Sequence, residues 1–368
     1  MAAVPESGFL LIADITGYTA YLARGEIEHA PTIAGDLLET VIGRLEPPFR
    51  LAKFEGDAAF LWVEDGRAEG SLLLDAIEAA YVGFRRRLRS IAQATTCDCN
   101  ACQRAPQLDL KFFVHHGQYV RSRIAGHDEL AGAAIIVVHR LLKGTTAARL
   151  HGADGTAAGF AVYTAAALEQ LGVEPAALEL AEGVENLEHL GDIVTFTQNL
   201  EDRWQVESVR RRLGGLESEP IFDLVVDVAA PANVVWTYLT SPALRPAWEG
   251  MIQIDETSPD GRRGIGTTSR CVTGVLASLE EIVDWQPFEH AGYRVTVPDL
   301  GPIEATYDLT ELAGAKATTI RHRWVPAGVQ AVDVEKGRGL ERDRHAALER
   351  LRLNFVSTST NEPEEVST

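Results

Sequence analysis

Cysteine, methionine and aromatic residues are scarce in this chain, and basic residues are outnumbered. Its 368 residues include four cysteines, two methionines and 7% aromatics. Three of the cysteines fall within six positions, so no disulfide framework spans the chain, and a reducing compartment is expected. Lysine and arginine number 34 against 53 acidic residues, a formal charge of −19. Such a surface repels nucleic acid and anionic membrane, and no basic stripe interleaved with aromatics offsets it. Arg85-Arg86-Arg87 with Arg89 reads as a solvated helix face, and Arg210-Arg211-Arg212 as a linker edge. Long apolar runs are missing too: the strongest, Ala133 to Val138, is far short of a membrane span. Met1 to Ser7 is short and acidic, unlike a signal peptide, so a cytoplasmic protein is the expectation.

What the chain does have is enough apolar residue, 46%, for two or three cores. The apolar run from Phe9 ends in Asp14, followed by Ile15, Thr16, Gly17, Tyr18 and Thr19, a turn into a helix-like segment. A buried strand delivers a carboxylate to its open end in this way. A second acid, Asp57, stands at the tip of a hairpin in Lys53-Phe54-Glu55-Gly56-Asp57. Acids on adjacent strand ends can hold two divalent metals about 3.5–4 Å apart, the geometry of in-line displacement at phosphorus. A strand-end Asp also serves as a helix cap, so both readings stand.

These residues resemble class III nucleotidyl cyclases. The segment around Asp14 is similar to that family's first metal motif, and Lys53 to Asp57 to its K-x-x-G-D hairpin. Phe113 to Gly117 resembles the strand ending in H-x-G, and Glu129 to Arg140 the segment with the base-reading acid and the transition-state arginine. The resemblance covers about the first 200 residues. It implies that Asp14, Asp57 and the backbone of Ile15 bind two Mg²⁺ or Mn²⁺ ions, one activating a ribose hydroxyl and one neutralising the triphosphate. Amides from Ile15 through Thr16, Gly17, Tyr18 and Thr19 would cradle phosphate. Lys53 and Glu129 would read the base, and Arg140 would stabilise charge at phosphorus. Each has a plainer alternative: Lys53 as a solvated hairpin charge, Glu129 as a surface acid, Arg140 as a stem packed on Val137, Val138, Leu141 and Leu142. One position departs. The ribose-orienting Asn of the family falls on Ile136, which makes no hydrogen bond, and orientation supplies several kcal/mol of such a barrier. Family sites form between two subunits, so a homodimer is implied.

Cys97-Asp98-Cys99-Asn100-Ala101-Cys102 is tight enough to wrap one soft metal, and zinc is the candidate. Asp98, His115 and His116 are candidates for the fourth ligand. A reduced loop or an oxidisable thiol pair is the alternative.

Periodicity predicts a βαββαβ ferredoxin-like palm: strands at 9–14, 49–55, 57–63, 108–115 and 118–124, and helices over 33–45, 68–93 and 131–145. A strand at 159–164, a helix at 165–171 and a hairpin-like ending at 179–197 follow, then a linker over 201–219. From Pro220 a strand, a short helix pair, a long antiparallel sheet and a helix over 337–355 read as a helix-grip. Val225 to Trp248 and Ile265 to Thr268 resemble the START/polyketide-cyclase (SRPBCC) superfamily over 220–355. The fold class is therefore α+β, with domains at 1–200 and 220–355 and a disordered acidic tail at 356–368. The superfamily implies a cavity for a lipid or other apolar small molecule, and Trp236 and Trp248, with Trp285 and Trp324, are candidates to line it or to form ordinary core. His322 alternates with Arg321 and Arg323, so it faces opposite to both, inward or outward.

Two functions compete. In one, an enzyme forms a cyclic nucleotide from ATP or GTP, coupled to a ligand-sensing domain. In the other, a catalytically degenerate cyclase-like dimer acts as a sensor or carrier of an apolar ligand. Asp14 and Asp57 favour the first, and Ile136 the second.

Overall fold

The computed structural model describes residues 4–356 except 27, 95, 96, 98, 125, 151–158, 179, 210–218, 274, 275, 298–300, 313, 315 and 328–333. It separates into two compact units, Met1–Arg210 and Arg211–Thr368.

In the first unit, β1 (Pro5–Thr16) leads into α1 (Tyr18–Arg24) and α2 (Ala30–Leu45), then the hairpin β2 (Arg50–Glu55) and β3 (Ala58–Glu64). The long α3 (Gly70–Ala94) and short α4 (Asn100–Arg104) precede β4 (Asp109–Ile124) and β5 (His127–Ala131). Then come α5 (Ala133–Leu141), α6 (Thr145–Leu150), β6 (Phe160–Thr164), α7 (Ala165–Leu171), β7 (Ala181–Leu187), β8 (Gly191–Asn199) and α8 (Leu200–Val209). The sheet order β2-β3-β1-β4-β6-β8-β7, with β1 antiparallel to both β3 and β4, contains the expected ferredoxin-like βαββαβ arrangement. β1 is central and buried on both faces, which explains why its sequence is continuously apolar rather than alternating.

Two expectations fail around Gly117. Residues 108–124 were expected as two strands but form one, because Gly117 lies mid-strand opposite Gly8. The glycine answers a packing demand instead of a turn: a Cβ there would sit 2.8 Å from the Ala134 Cβ of α5. The helix expected over 131–145 begins at Ala133, after Gly132 at φ +149°, and the preceding residues form β5, which places Glu129 on a strand. The arginine cluster is not simply solvated. Arg85 meets Asp109 at 3.0 Å, Arg86 meets Glu207 at 2.7 Å, Arg87 pairs with Asp36, and Arg89 lies 4.6 Å from the Trp204 ring. The linker expected over 201–219 starts as helix α8; residues 210–218, with Arg210 to Arg212, lie outside the described residues, as does the tail 357–368.

In the second unit, β9 (Phe222–Val228), α9 (Ala232–Thr240) and α10 (Arg245–Glu249) precede β10 (Gln253–Thr257), β11 (Thr268–Thr273), β12 (Leu276–Gln286), β13 (His290–Val297), β14 (Gly301–Glu311) and β15 (Thr318–Pro326). The last helix is α11 (Val334–Val356), three residues earlier in onset than its periodicity suggests. The sheet is antiparallel, ordered β10-β11-β12-β13-β14-β15-β9, and α11 packs on β9 and α10: the helix-grip architecture. Pro231 takes the N-cap of α9. Trp236 and Trp248 are fully buried in core contacts. Trp236 meets Trp285 edge-on at 4.6 Å, and the Trp248 indole donates to the Tyr238 carbonyl at 2.8 Å.

This interior also holds buried charge. Arg245 donates to Glu249 at 2.6 Å and to Glu280 at 2.9 Å, and Arg344 of α11 donates to the other Glu249 oxygen at 2.9 Å. Burial alone would raise the Glu249 carboxyl, but Arg245 and Arg344 outweigh it and hold the group below its usual range. A depressed carboxyl contributes stability above its unfolded pKa and loses it as pH falls through its folded one. Glu249→Gln should therefore cost about 3–5 kcal/mol at neutral pH, because two buried cations lose their shared carboxylate. Denaturant midpoints of the full chain measure it; an unchanged midpoint would remove this pair from the stability of the unit.

Candidate functional site

Strand register assembles the acid end of the first unit. Asp14, near the end of β1, is opposite Ala58 at the start of β3 and Lys111 on β4. The β2–β3 turn carries Asp57, whose carbonyl accepts from the Ile15 amide at 3.3 Å. The two acids expected together are thus brought together, one near the end of a strand and the other in the adjacent turn. Sequence reading missed the third member: Lys111 Nζ lies 2.9 Å from Asp14 Oδ2, with the lysine only 8% exposed. A lone lysine in Leu110-Lys111-Phe112 carries no motif, and only the antiparallel register reveals its partner.

Burial raises the Asp14 carboxyl above its ordinary value, and Lys111 offsets only part of that. Asp57 is raised as well, first by burial and then by the charge of Asp14. Thr16, two residues along the same strand face, has a buried hydroxyl with no hydrogen-bond partner among the described residues. Two mutually repelling carboxylates beside an unpaired hydroxyl form an oxygen-rich donor set that suits a hard divalent cation. The phosphate cradle fares less well. Gly17 turns the chain at φ +87°, α1 is only seven residues long, and the Ile15 amide is already committed to Asp57. Tyr18 and Thr19 fall in the first turn of that short helix.

The residues expected to read the base gather elsewhere. Lys53 Nζ lies 3.3 Å from Glu129 and 3.4 Å from Glu55, so the expected pair does meet. A cleft of about 880 Å³ is lined by Lys53, Glu55, Ile136, His139, Arg140 and Glu185, among others. Arg140 is exposed on α5, and Ile136 one turn before it is 51% exposed rather than packed. His139, which the sequence did not single out, donates from Nδ1 to the Ile135 carbonyl at 2.8 Å and meets Glu55 at 3.0 Å through Nε2. Neither Asp14 nor Asp57 lines this cleft. The cleft balances Lys53, Arg140 and Lys143 against Glu55, Glu185 and Glu188.

The histidines offered for the cysteine loop are engaged elsewhere. His115 bonds the Thr164 hydroxyl at 2.9 Å, and burial holds its imidazole down at about 4; His116 pairs with Asp65 at 2.9 Å. Asp98 lies outside the described residues. The loop's actual neighbour is His29.

Two family models divide the chain. Residues 34–149 match a family described as a protein of unknown function (DUF2652), and residues 220–355 match polyketide cyclase / dehydrase and lipid transport. The uncharacterized protein Rv2561/Rv2562 of Mycobacterium tuberculosis is 38% identical over 107 residues, 29% of this chain and 50% of that protein. The chain thus spans half the length of that relative. Among solved structures, the guanylyl cyclase Cya2 is 13% identical over 54% of this chain and 93% of its own, at a TM-score of 0.39. The adenylyl cyclase CyaB of P. aeruginosa is 14% identical over 58% of this chain and all of its own, at 0.37. At such scores nothing about chemistry follows from the likeness. No helix among the described residues is long and apolar enough to cross a membrane.

The raised acids have a measurable consequence. A carboxyl whose folded pKa lies above its unfolded value, here 3.8, favours the folded state least when ionised. Stability is then lost as pH rises from that value through the folded pKa. Asp57→Asn should raise the unfolding midpoint at pH 7 in metal-free buffer, and the gain should vanish at pH values below both pKa values. A midpoint lowered at pH 7 would show that Asp57 is a structural cap.

Proposed function

We propose that the first unit binds a nucleoside triphosphate with a divalent cation, Mg²⁺ or Mn²⁺, held by Asp14 and Asp57. The observation that supports this most is the convergence of two raised carboxylates, the buried Lys111 ammonium and the unpaired Thr16 hydroxyl on one strand end. When bound, the cation would neutralise phosphate charge and lower the pKa of an attacking hydroxyl. Lys111 supplies a fixed positive charge that can turn from Asp14 to a phosphate oxygen. Lys53 and Glu129 offer a donor and an acceptor to a base edge, and Arg140 a guanidinium with no ion pair among the described residues for charge developing at phosphorus. Because Asp14 and Asp57 do not line the cleft that Lys53 and Arg140 line, the proposed working unit is a homodimer in which each copy completes the other's site.

The reaction this reading allows is slow cyclisation of ATP or GTP. Ile136 is the observation that favours the second reading, a degenerate dimer that binds nucleotide without turning it over. Its exposed sec-butyl group, one turn before Arg140, offers no hydrogen bond to hold a ribose.

For the second unit the proposed ligand is an apolar small molecule bearing a hydroxyl or carbonyl. His322 is buried and stacked on Tyr307 at 3.9 Å, and it donates from Nδ1 to the Thr306 carbonyl at 3.0 Å. Burial holds it neutral, with its pKa down at about 3, so Nε2 is a bare acceptor. That nitrogen and the Trp324 indole N–H are both buried without partners among the described residues. An acceptor and a donor left open in a buried interior suit a ligand that offers both. A ligand there would influence the nucleotide half only through different affinities for two states of the dimer.

The deciding experiment is nucleotide binding and turnover with and without Mn²⁺, products read by mass spectrometry. Mn²⁺ should tighten ATP or GTP binding, and Asp57→Ala should remove that dependence while the protein stays folded. Ile136→Asn should raise cyclic product by about ten- to a hundred-fold if ribose orientation is the missing element. Binding indifferent to both Mn²⁺ and Asp57→Ala would overturn the reading. Mn²⁺-dependent binding with no product from either protein would leave the regulatory dimer.

A further inference from the structure

The chain concentrates three of its four cysteines in one loop, and the fold adds a fourth soft ligand from far away in sequence. Cys97 and Cys99 precede α4, and Cys102 lies in its first turn; Cys99 is the N-cap and its sulfur accepts from the Cys102 amide at 3.4 Å. From the opposite side, the turn between α1 and α2 presents His29. Its Nδ1 lies 3.2 Å from Cys99 Sγ and 3.6 Å from both Cys97 Sγ and Cys102 Sγ. All four ligand atoms lie within 4.8 Å of one another.

These spacings are informative. Zinc–sulfur bonds of about 2.3 Å and zinc–nitrogen bonds of about 2.0–2.1 Å put tetrahedral nitrogen–sulfur edges near 3.6 Å. The three nitrogen–sulfur distances, 3.2, 3.6 and 3.6 Å, fall at or inside that edge. We propose that His29, Cys97, Cys99 and Cys102 bind one zinc ion as a closed structural site. Binding replaces the three thiol protons, which are released to solvent, and uses the lone pair of His29 Nδ1. Four protein ligands leave no position for water or substrate, so the site holds structure and performs no hydrolysis. Oxygen-preferring Mg²⁺ or Mn²⁺ does not choose three thiolates. A disulfide would use two of the sulfurs and leave the imidazole without purpose.

The surroundings support a ligand rather than a chance meeting. Glu26, three residues before His29, accepts from the Asn100 and Ala101 amides at 3.2 and 2.9 Å and from the Asn100 side chain at 3.1 Å. Those bonds, with the Ala101 amide foremost, hold its carboxyl down at about 2. The Tyr21 hydroxyl is buried without a partner among the described residues. It lies near enough to Cys102 and Cys99 to feel their charge, which places it as a donor toward a metal-bound thiolate. Such partners of metal ligands are worth ten- to a hundred-fold in affinity, typically.

The test uses the full chain, expressed and purified without chelator, with zinc counted by elemental analysis. One zinc per chain is expected, unchanged in Cys271→Ser and lost in Cys99→Ser. Chelation should release it, lower the unfolding midpoint and expose three further thiols to a labelling reagent. Cobalt loading should give the absorption bands of a tetrahedral thiolate site. His29→Cys, which replaces a nitrogen with a sulfur, should keep the metal and shift those bands. Tyr21→Phe should keep the stoichiometry but weaken zinc by about ten-fold. A chain that stays zinc-free even after reconstitution with added zinc would overturn the site. Cobalt bands unmoved by His29→Cys would overturn its fourth ligand.

Discussion

The register of β1 between β3 and β4 is the constraint on which the acid end depends. In a sheet the side-chain period is two, so a slip of one residue would turn Asp14 to the opposite face and carry Thr16 with it. It would also part Asp14 from Lys111, leaving a carboxylate and an ammonium separately buried, at a cost of several kcal/mol. Apolar burial on both faces of β1 resists such a slip only weakly, because Leu10, Leu11, Ile12 and Ala13 are apolar in either register. The ion pair and the close Gly8–Gly117 pairing are what distinguish the correct register from its neighbours. A side-chain interaction suited to chemistry is thus also one that specifies the sheet.

That double role explains what was legible in the sequence. Asp14 and Asp57 were readable because each stands at a break in pattern, an acid ending an apolar run and an acid at a Gly-containing hairpin tip. The order of strands and helices followed from periodicity for the same reason: long runs with one period leave little choice. Lys111 was not readable, because its meaning lies in a partner 97 positions away that register alone supplies. His29 was hidden similarly. It sits between Glu28 and Ala30 with no second histidine or cysteine near it, and only the docking of the α1–α2 turn onto α4 discloses its neighbours. Gly117 misled for the opposite reason. A glycine in a strand pattern signals a turn, a bulge or a close approach, and sequence cannot choose among them.

The second unit shows the same limit in a different chemistry. Alternation identified its strands and placed His322 opposite to its arginine neighbours, but inside and outside were equivalent until the sheet was assembled. Arg245, Glu249, Glu280 and Arg344 come from α10, β12 and α11, and none forms a motif with another. Two arginines and two glutamates give this layer no net formal charge. Balanced pairs of this kind keep their ionisation inside a protein, whereas a single unpaired charge would neutralise instead. Close to this balanced layer, His322 Nε2 and the Trp324 indole N–H are buried without partners among the described residues.

The cysteine cluster and the acid end are connected by a short stretch of chain. From Thr16 at the end of β1, the backbone turns at Gly17, runs through the two turns of α1, and reaches Glu26 and His29. A seven-residue helix has little stability of its own, since nucleation consumes most of what its few hydrogen bonds return. Its position comes from the burial of Tyr21 in its middle and from what grips its two ends. At one end the Ile15–Asp57 backbone bond fixes the departure from the sheet. At the other, Glu26 and His29 bind the α4 loop, and Gly25 approaches it so closely that a Cβ would lie 3.3 Å from that of Ala101. Loosening the far end would free α1 to fray toward Gly17, the residue that sets the direction in which Thr16 and Asp14 meet solvent. The proposed clip through His29, Cys97, Cys99 and Cys102 would therefore limit the conformations of the segment that leads back to the acid end, without touching either carboxylate.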